Sequence, residues 1–295
     1  MKGIVRFALL ALLMVATVTM LACSDTEYEA ALAEHEAAVT SFDAAVVEAE
    51  AKNAELQDAI SSAQTAIDSG DLPFDEDALS NLESAIEEAA TAIVLVPEIT
   101  VEIEGIDTAE ELRAAANDIN VATESLTAID YSDLLDALTQ NLTAFEDSVR
   151  QLQQVTAPTD DFIIERIEDI STITGTAAVS EGNDPNNNLN TEGGYIAAVF
   201  FSDSQVNQAT VFRQGRFANP ILNGGTDGGG SIEVYATEDD AQARYIFLNA
   251  FSGTVLDPGS HYVLGTIVIR TSTKLSDTQQ EELTELIRES LLELR

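Results

Sequence analysis

The spacing of apolar residues changes near the middle of the chain. From Tyr28 to Ile67 they recur at alternating intervals of four and three, the pattern of a helix with one apolar seam. The seam consists of Tyr28, Leu32, His35, Val39, Phe42, Val46, Ala49, Asn53, Leu56, Ile60, Ala63 and Ile67. A glycine and a proline follow in Ser69-Gly70-Asp71-Leu72-Pro73, so we expect the helix to end there.

Three further helices are predicted before residue 157. One runs from Asp75 towards Pro97, the next opens at the capping box Thr108-Ala109-Glu110-Glu111, and the last begins at Ser132. Each carries a single apolar stripe, and a stripe needs a partner to cover it. The first half is therefore predicted to be an α-helical bundle or coiled coil, independent of the second half. The alternating segment Glu98–Glu104 is interpreted as an extended connector.

The second half begins after the proline of Ala157-Pro158-Thr159 and has a mixed pattern. Helices are predicted at Asp161–Ile170, from Thr237 to Phe251, and from Ser276 onward. Strands are predicted at Ile173–Val179, Tyr195–Phe201, Ser231–Tyr235 and Tyr262–Thr271. This order predicts an α+β head of about four strands with helices on one face. The predicted divisions are 1–22, 23–156 and 157–295.

The first division has the layout of an export signal. Lys2 and Arg6 are followed by an uncharged apolar run, Phe7–Ala22, and then by Cys23, which is the one cysteine of the chain. This arrangement resembles a bacterial lipoprotein signal. The resemblance implies cleavage before Cys23 and a lipid, with fatty acids such as palmitate, on its thiol. The mature chain would then be anchored at the extracytoplasmic face of the membrane. The alternatives are an ordinary signal peptide or an N-terminal anchor helix.

The charge of the chain restricts its partners. The formal net charge is −39, and the segment Ser24–Thr156 holds 31 acidic residues against three basic ones, Lys52, Arg113 and Arg150. A nucleic-acid partner needs a basic surface, so we exclude one. The excess of acid is expected to form a solvated surface that resists aggregation. With one cysteine there is no internal disulfide, so stability has to come from packing.

Several motifs resemble known surface-protein modules. Residues 54–155 resemble FIVAR-type helical modules of Gram-positive surface proteins in Leu56/Ile60, Leu82/Ile86 and Tyr131–Leu138. Residues 158–295 resemble an uncharacterised domain of Gram-positive surface proteins and lipoproteins, some labelled matrix-binding-like. The matching motifs are Asn183-Asp184-Pro185-Asn186, Gly193-Gly194-Tyr195, Gly225–Gly229, Ile232–Tyr235, Gly259-Ser260-His261 and Val268–Ser272. Asn187 stands where that domain often has glycine, and asparagine tolerates the left-handed backbone expected there.

The sequence gives little support for catalysis. His35 lies on the first seam, where packing is the expected role, and His261 follows a serine whose side chain points to the opposite side of a strand. The glycine-rich segment Gly224–Gly230 precedes a strand and lacks the lysine of a phosphate loop, so we interpret it as a mobile turn. We therefore expect a protein that is not an enzyme and has no cofactor, with calcium as the one candidate ion.

The calcium candidate is a loop rich in oxygen ligands. Its candidate ligands are Glu181, Asn183, Asp184 and Asn186. The loop lacks the spacing of an EF-hand, and the same residues are ordinary turn formers, so a plain turn is the alternative.

A basic-aromatic cluster in the head is the second candidate site. Its residues are Phe212, Arg213, Arg216 and Phe217, in the loop Ser202–Gly230. Arginine and aromatic side chains are frequent anchors of interfaces, although the phenylalanines could instead pin the loop to its own sheet. The overall expectation is a lipid-anchored surface protein whose helical spacer presents a binding head to an unidentified protein or envelope ligand. The alternatives are a structural envelope protein and, third, an enzyme.

Overall fold

A computed structural model describes residues 2–99 and 103–295, and it describes side chains for 26–99 and 103–295. The chain divides into two compact units. The helical unit comprises Met1–Ser69 and Ser80–Leu142, and the head unit comprises Gly70–Leu79 and Thr143–Arg295. The predicted leader and Cys23 fall outside the described side chains, and the predicted connector at 98–104 falls partly outside the described residues.

The predicted helical first half is confirmed. Its helices are α1 Lys2–Asp68, α2 Glu76–Ala92, α3 Ala109–Thr127 and α4 Ser132–Gln154. The predicted end signals act as expected: Gly70 follows α1 with a φ of 78°, and the Thr108 side chain accepts a hydrogen bond from the Glu111 N–H at the start of α3. Among the described residues, no helix is both long enough and apolar enough to cross a membrane.

Within the helical unit, α1 packs along α3. The buried residues of α1 are Ala31, His35, Ala38, Phe42, Ala45, Ala49, Leu56, Ile60 and Ala63. Six of these belong to the predicted seam, and Ala31, Ala38 and Ala45 widen it by one flanking row. α3 supplies Leu112, Ala116, Ile119 and Leu126 to the same core. Because alanine is small, the two backbones can lie close together without leaving voids.

A polar connection inside the helical unit accounts for one of the two polar seam positions. The Tyr131 hydroxyl, in a side chain that is 7% exposed, donates to Asn53 Oδ1 at 2.8 Å. It also accepts the Val94 N–H at 3.0 Å, while Asn53 Nδ2 donates to the Val94 carbonyl at 2.8 Å. The network joins α1 to the end of α2 and the start of α4. It satisfies backbone groups just past the C-terminus of α2, where the helix can no longer pair them.

The head unit is built on one antiparallel sheet. Its strands are β1 Ile173–Ala178, β2 Ala197–Asp203, β3 Gly229–Val234, β4 His261–Leu264 and β5 Ile267–Thr271, in the order β1-β2-β3-β5-β4. The α+β class is confirmed, but the prediction of about four strands is wrong. The segment predicted as a single strand, Tyr262–Thr271, turns back on itself at Gly265, whose φ is 56°. Glycine adopts that left-handed conformation without steric cost.

Helices lie on both faces of the sheet, so the prediction of helices on one face is also wrong. They are α5 Asp160–Ile167, α6 Pro220–Gly224, α7 Glu238–Asn249 and α8 Asp277–Leu292. Val199 and Phe201 of β2 pack in the core with α5 and α8, whereas Ala198 and Phe200 pack in a second core with α6 and α7. The apolar residues of β2 are continuous because neighbouring side chains point to opposite faces and both faces are covered.

The end of α4 belongs to the head core. Val155, which is wholly buried, packs with the residues of α5 and α8. Its carbonyl accepts the Thr266 N–H at 3.1 Å, and the Thr266 hydroxyl accepts the Ala157 N–H at 2.7 Å. The sequence placed the division at 156/157, before Pro158, whereas the contacts in the structure place 143–156 and 70–79 with the head unit.

The glycine-rich segment is not a mobile turn. Gly229 and Gly230 lie in β3, and a Cβ on Gly230 would come within 2.3 Å of the Phe201 ring and 2.2 Å of the Arg270 carbonyl. The glycines therefore allow close packing within the sheet. The expectation for Asn187 is confirmed, because its φ is 54°.

Replacing Tyr131 by phenylalanine is expected to destabilise the helical unit. The change removes the hydrogen bonds of the hydroxyl with Asn53 Oδ1 and the Val94 N–H. Both residues are partly exposed, so the expected cost is about 0.5–1.5 kcal/mol for each bond. The control is Tyr28→Phe, which removes a single hydrogen bond, to the Ile106 carbonyl at 3.2 Å. Urea denaturation followed by circular dichroism measures both free energies of unfolding. Equal losses in the two variants would show that the Tyr131 network has no special role.

Candidate functional site

A charged cluster is buried under α7 on one face of the head sheet. On β3, Ile232 and Val234 point towards α5 and α8, so alternation directs Glu233 to the opposite face. On β5, Ile269 points towards α5 and α8, and Arg270 follows it on the α7 side. Arg244 reaches the same place from α7. The strand period thus brings one acid and two bases together under a helix.

The Glu233 carboxylate is wholly buried and accepts four hydrogen bonds. Oε2 accepts from Arg244 Nε at 2.8 Å and from the Tyr235 hydroxyl at 2.9 Å. Oε1 accepts from Arg244 Nη2 at 3.1 Å and from Arg270 Nη1 at 2.8 Å. Arginine suits this role because its planar fork presents several donors in fixed geometry. Glu233, Arg244 and Arg270 thereby hold β3, α7 and β5 to one another.

Burial and charge act in opposite directions on this cluster. Burial alone would raise the pKa of Glu233, but the charges of Arg270 and then Arg244 outweigh it and hold the pKa below its usual range. Burial would lower the pKa of Arg244, and the Glu233 charge more than reverses that effect. Burial, together with the neighbouring Glu233, raises the pKa of Tyr235, so its hydroxyl remains a donor. Arg244 and Tyr235 therefore remain hydrogen-bond donors to Glu233 at neutral pH.

Beside this cluster the head has an open cavity of about 380 Å³. We refer to it as the arginine cleft. Its walls include Arg244, Phe247, Phe251, Leu256, Pro258 and Arg270. The size lies at the lower end of the range for small-molecule sites. The cleft combines apolar walls with two guanidinium groups that Glu233 holds in place.

Two segments predicted as long loops of the head, Ser180–Gly194 and Ser202–Gly230, reach the arginine cleft, although the basic-aromatic cluster of the second does not line it. Asn186 comes from the first loop, and Thr226 and Asp227 come from the second. The loops also touch each other, because Arg216 Nη2 donates to Asn187 Oδ1 at 3.3 Å.

The predicted basic-aromatic cluster is used mainly within its own loop. Arg213 donates to the Gln208 carbonyl at 2.9 Å and to Gln208 Oε1 at 2.7 Å. Phe217 packs against the core under α7, and the Arg216 guanidinium lies 5.1 Å from its ring centroid. Phe212 is 76% exposed. Arg213 and Phe217 thus fix the loop, while Phe212 and Arg216 face solvent, and a binding role for the cluster remains a prediction.

In the calcium candidate loop, Asp184 holds the loop together through hydrogen bonds. Its buried carboxylate accepts four hydrogen bonds, from the N–H groups of Asn186, Asn188 and Leu189 and from the Tyr195 hydroxyl. Burial would raise the pKa of Asp184, but these hydrogen bonds outweigh it and hold the pKa below its usual range. Asn183 accepts the Ser180 N–H and Glu181 is exposed. Within the described residues, no group of three or more His, Cys, Asp or Glu side chains is arranged to hold a metal ion.

The two histidines have structural surroundings. His35 is 3% exposed on the buried face of α1. His261 begins β4, where its Nδ1 lies 3.1 Å from the Gly259 carbonyl oxygen and its ring packs 4.9 Å from that of Tyr245.

Sequence reasoning missed the Glu233 cluster, although a signal was present. Glu233 lies between Ile232 and Val234, and Arg270 follows Val268 and Ile269. A charged residue inside a strand of β-branched residues has to be buried with a partner or lie on a solvated face. Two such strands that carry opposite charges suggest that the charges form an ion pair with each other. Glu233 and Arg270 can be recognised as the partners once β3 and β5 are known to be neighbours.

Replacing Glu233 by glutamine is expected to destabilise the head at neutral pH by about 3–5 kcal/mol, because it leaves two partly buried arginines without their counter-charge. The folded-state pKa of Glu233 is lowered. Its stabilisation is therefore complete above the unfolded value near ~4.3 and is lost as pH falls through the folded value. The difference in free energy of unfolding between the wild type and Glu233→Gln should therefore become smaller as the pH is lowered. Urea denaturation at pH 7 and at about pH 3 tests this, and a gap that is constant with pH would contradict it.

Comparisons of the chain with protein-family models, with curated proteins and with solved structures find no match. The resemblances drawn from the sequence therefore remain predictions.

Proposed function

We propose that this protein is a lipid-anchored surface protein whose head unit binds an extracytoplasmic ligand. The observation that carries the binding role is the arginine cleft, where Glu233 holds Arg244 and Arg270 beside an apolar wall. Preorganised charge next to apolar surface is the usual composition of a ligand site. The two long loops supply further cleft residues, and functional residues concentrate on loops held by a rigid sheet.

The anchor in this proposal is Cys23. The charged start at Lys2 and Arg6, the apolar run Phe7–Ala22 and the following cysteine support it. The acidic surface of the mature chain would be repelled by anionic head groups, so the lipid would provide most of the attachment.

The helical unit is proposed to act as a spacer. Its α1 is long, and the buried positions of α1 follow a heptad-like spacing that suits coiled-coil packing against α3. Its few basic residues support that packing: Arg113 lies 3.4 Å from Glu34 across the two helices, and Lys52 Nζ donates to the Ile129 carbonyl at 2.8 Å. The rest of the described surface of the helical unit is acidic and solvated.

The anchor is tested by mass spectrometry of the protein extracted from its own membrane. We expect the first residue to be Cys23, carrying a diacylglycerol thioether. In a Cys23→Ser variant the lipid mass should disappear because serine has no thiol to modify. A wild-type protein that begins at another residue, or that lacks lipid, would contradict the anchor without affecting the argument for the cleft.

The binding role is tested by cosedimentation of the purified mature chain with cell-envelope fractions and with insoluble matrix proteins. Binding to one of them is expected. Phe212→Ala/Arg216→Ala tests the exposed loop surface. Leu286→Ala/Arg288→Ala in α8 is the matched control, since it also removes one positive charge and one exposed apolar side chain. If neither fraction retains the chain, the protein is a structural envelope component. If the loop variant alone fails to bind, the loop surface is the contact.

A further inference from the structure

The two arginines of the cleft carry more positive charge than Glu233 alone neutralises. Two guanidinium groups, of Arg244 and Arg270, are paired with the single carboxylate of Glu233. Their side chains are only 17% and 11% exposed, so water screens this excess incompletely. An arginine has five N–H donors, and Glu233 takes two from Arg244 and one from Arg270. Arg270 Nε is buried and has no hydrogen-bond partner among the described residues. Glu233 therefore leaves donors of both guanidinium groups unused.

The acidic residues at the rim limit the charge of any anion that binds these donors. Asp227 and Asp257 both line the cleft. The Asp257 carboxylate accepts the Gly253 N–H at 2.7 Å and the Gly259 N–H at 3.0 Å, and these bonds lower its pKa. It therefore stays ionised and fixed in its own loop. Together with Glu233, the two rim residues make three carboxylates against two guanidinium groups, so the cleft suits a ligand of single negative charge better than a dianion. Arginine pairs with a carboxylate in a two-bond geometry.

One wall of the cleft is apolar, while Asn186, Thr226 and Thr273 add polar groups elsewhere in its lining. Phe247 and Leu256 are 55% and 67% exposed, and Phe251 and Pro258 line the same wall. The Arg244 guanidinium carbon lies 5.6 Å from the centroid of the Phe247 ring, so the charge and the aromatic surface are adjacent. Exposed apolar side chains around a concave surface are typical of a place where an apolar group binds.

We propose that the arginine cleft binds a carboxylate attached to an apolar group. The carboxylate lies against Arg244 and Arg270, and the apolar group covers Phe247 and Leu256. Such a group occurs in a free aromatic or aliphatic acid and at the end of a peptide that terminates in an apolar residue. This inference names the chemistry of the ligand for the head, and so it rests on the proposed binding function.

The test uses the purified mature chain and three small probes that share one ring. N-acetylphenylalanine represents a peptide end, phenylacetate represents a free acid, and N-acetylphenylalaninamide is the uncharged match of the first. Isothermal titration calorimetry measures the affinity of each probe, and changes in amide NMR chemical shifts locate its binding site. The acids are expected to bind, and the amide to bind at least about tenfold more weakly, because it loses the charge-assisted hydrogen bonds. Preference between the two acids distinguishes the peptide end from the free acid. Phenyl phosphate, as the dianion, is expected to bind more weakly than the acids.

Two neighbouring residues of α7 provide a matched pair of variants. Phe247 and Ile246 are 55% and 61% exposed, and only Phe247 of the two lines the cleft. Because both are exposed, neither change to alanine should disturb the fold, which circular dichroism checks. Phe247→Ala is expected to lower the affinity for N-acetylphenylalanine by about fivefold or more, and Ile246→Ala is expected to lower it by less than about twofold. Arg270→Lys keeps the positive charge but loses the planar guanidinium group, so it should weaken the binding of both acids.

Three results would overturn the inference. The first is no binding of either acid up to about 10 mM. The second is equal affinity for the acid and its amide. The third is equal effects of Phe247→Ala and Ile246→Ala. None of these results would remove the proposed function if the chain still bound an envelope fraction through the loop surface of Phe212 and Arg216. Conversely, acid binding at the cleft would stand even if the lipid were absent from Cys23.

Discussion

One buried carboxylate determines the arrangement of a whole face of the head. Glu233 is wholly buried, and it is tolerated there because Arg244, Arg270 and Tyr235 fill its lone pairs. Each partner comes from a different place: Arg244 from α7, Arg270 from β5, and Tyr235 from the position just after β3. The same contacts that make the charge tolerable therefore fix how α7 lies on the sheet. They also hold both guanidinium groups at the edge of the arginine cleft, so the stability of the fold and the chemistry of the site share one set of interactions.

The helical unit also contains a polar interaction within an apolar core, but an uncharged one. Its core is largely alanine, leucine and isoleucine, with little in the side chains to distinguish one register of packing from another. The Tyr131–Asn53 hydrogen bond, with the Val94 backbone, is satisfied only when α1, the end of α2 and the start of α4 are correctly placed. A polar group that needs a particular partner makes alternative packings costly. Both units thus combine a general apolar core with one specific polar connection.

Local sequence was sufficient wherever a structural element is determined by nearby residues. The end of α1 at Gly70 and the caps at Thr108, Thr237 and Ser276 depend on contacts within a few positions, and all four lie where the sequence indicated. The left-handed backbone of Asn187 follows from its own side chain. The chain position of the strands was also indicated, because apolar β-branched runs favour extended backbone.

The amino-acid sequence by itself determined the helical first half, the α+β class of the second and the acidic character of the surface. Tertiary structure decided what depends on distant neighbours: the β4–β5 turn at Gly265, the covering of both sheet faces, and the place of Val155 in the head core. It also decided the cleft, because Glu233 and Arg270 are 37 positions apart and meet only through the pairing of β3 with β5. Local patterns give a residue its side of a strand, but which strand lies beside it is settled by the packing of the whole unit.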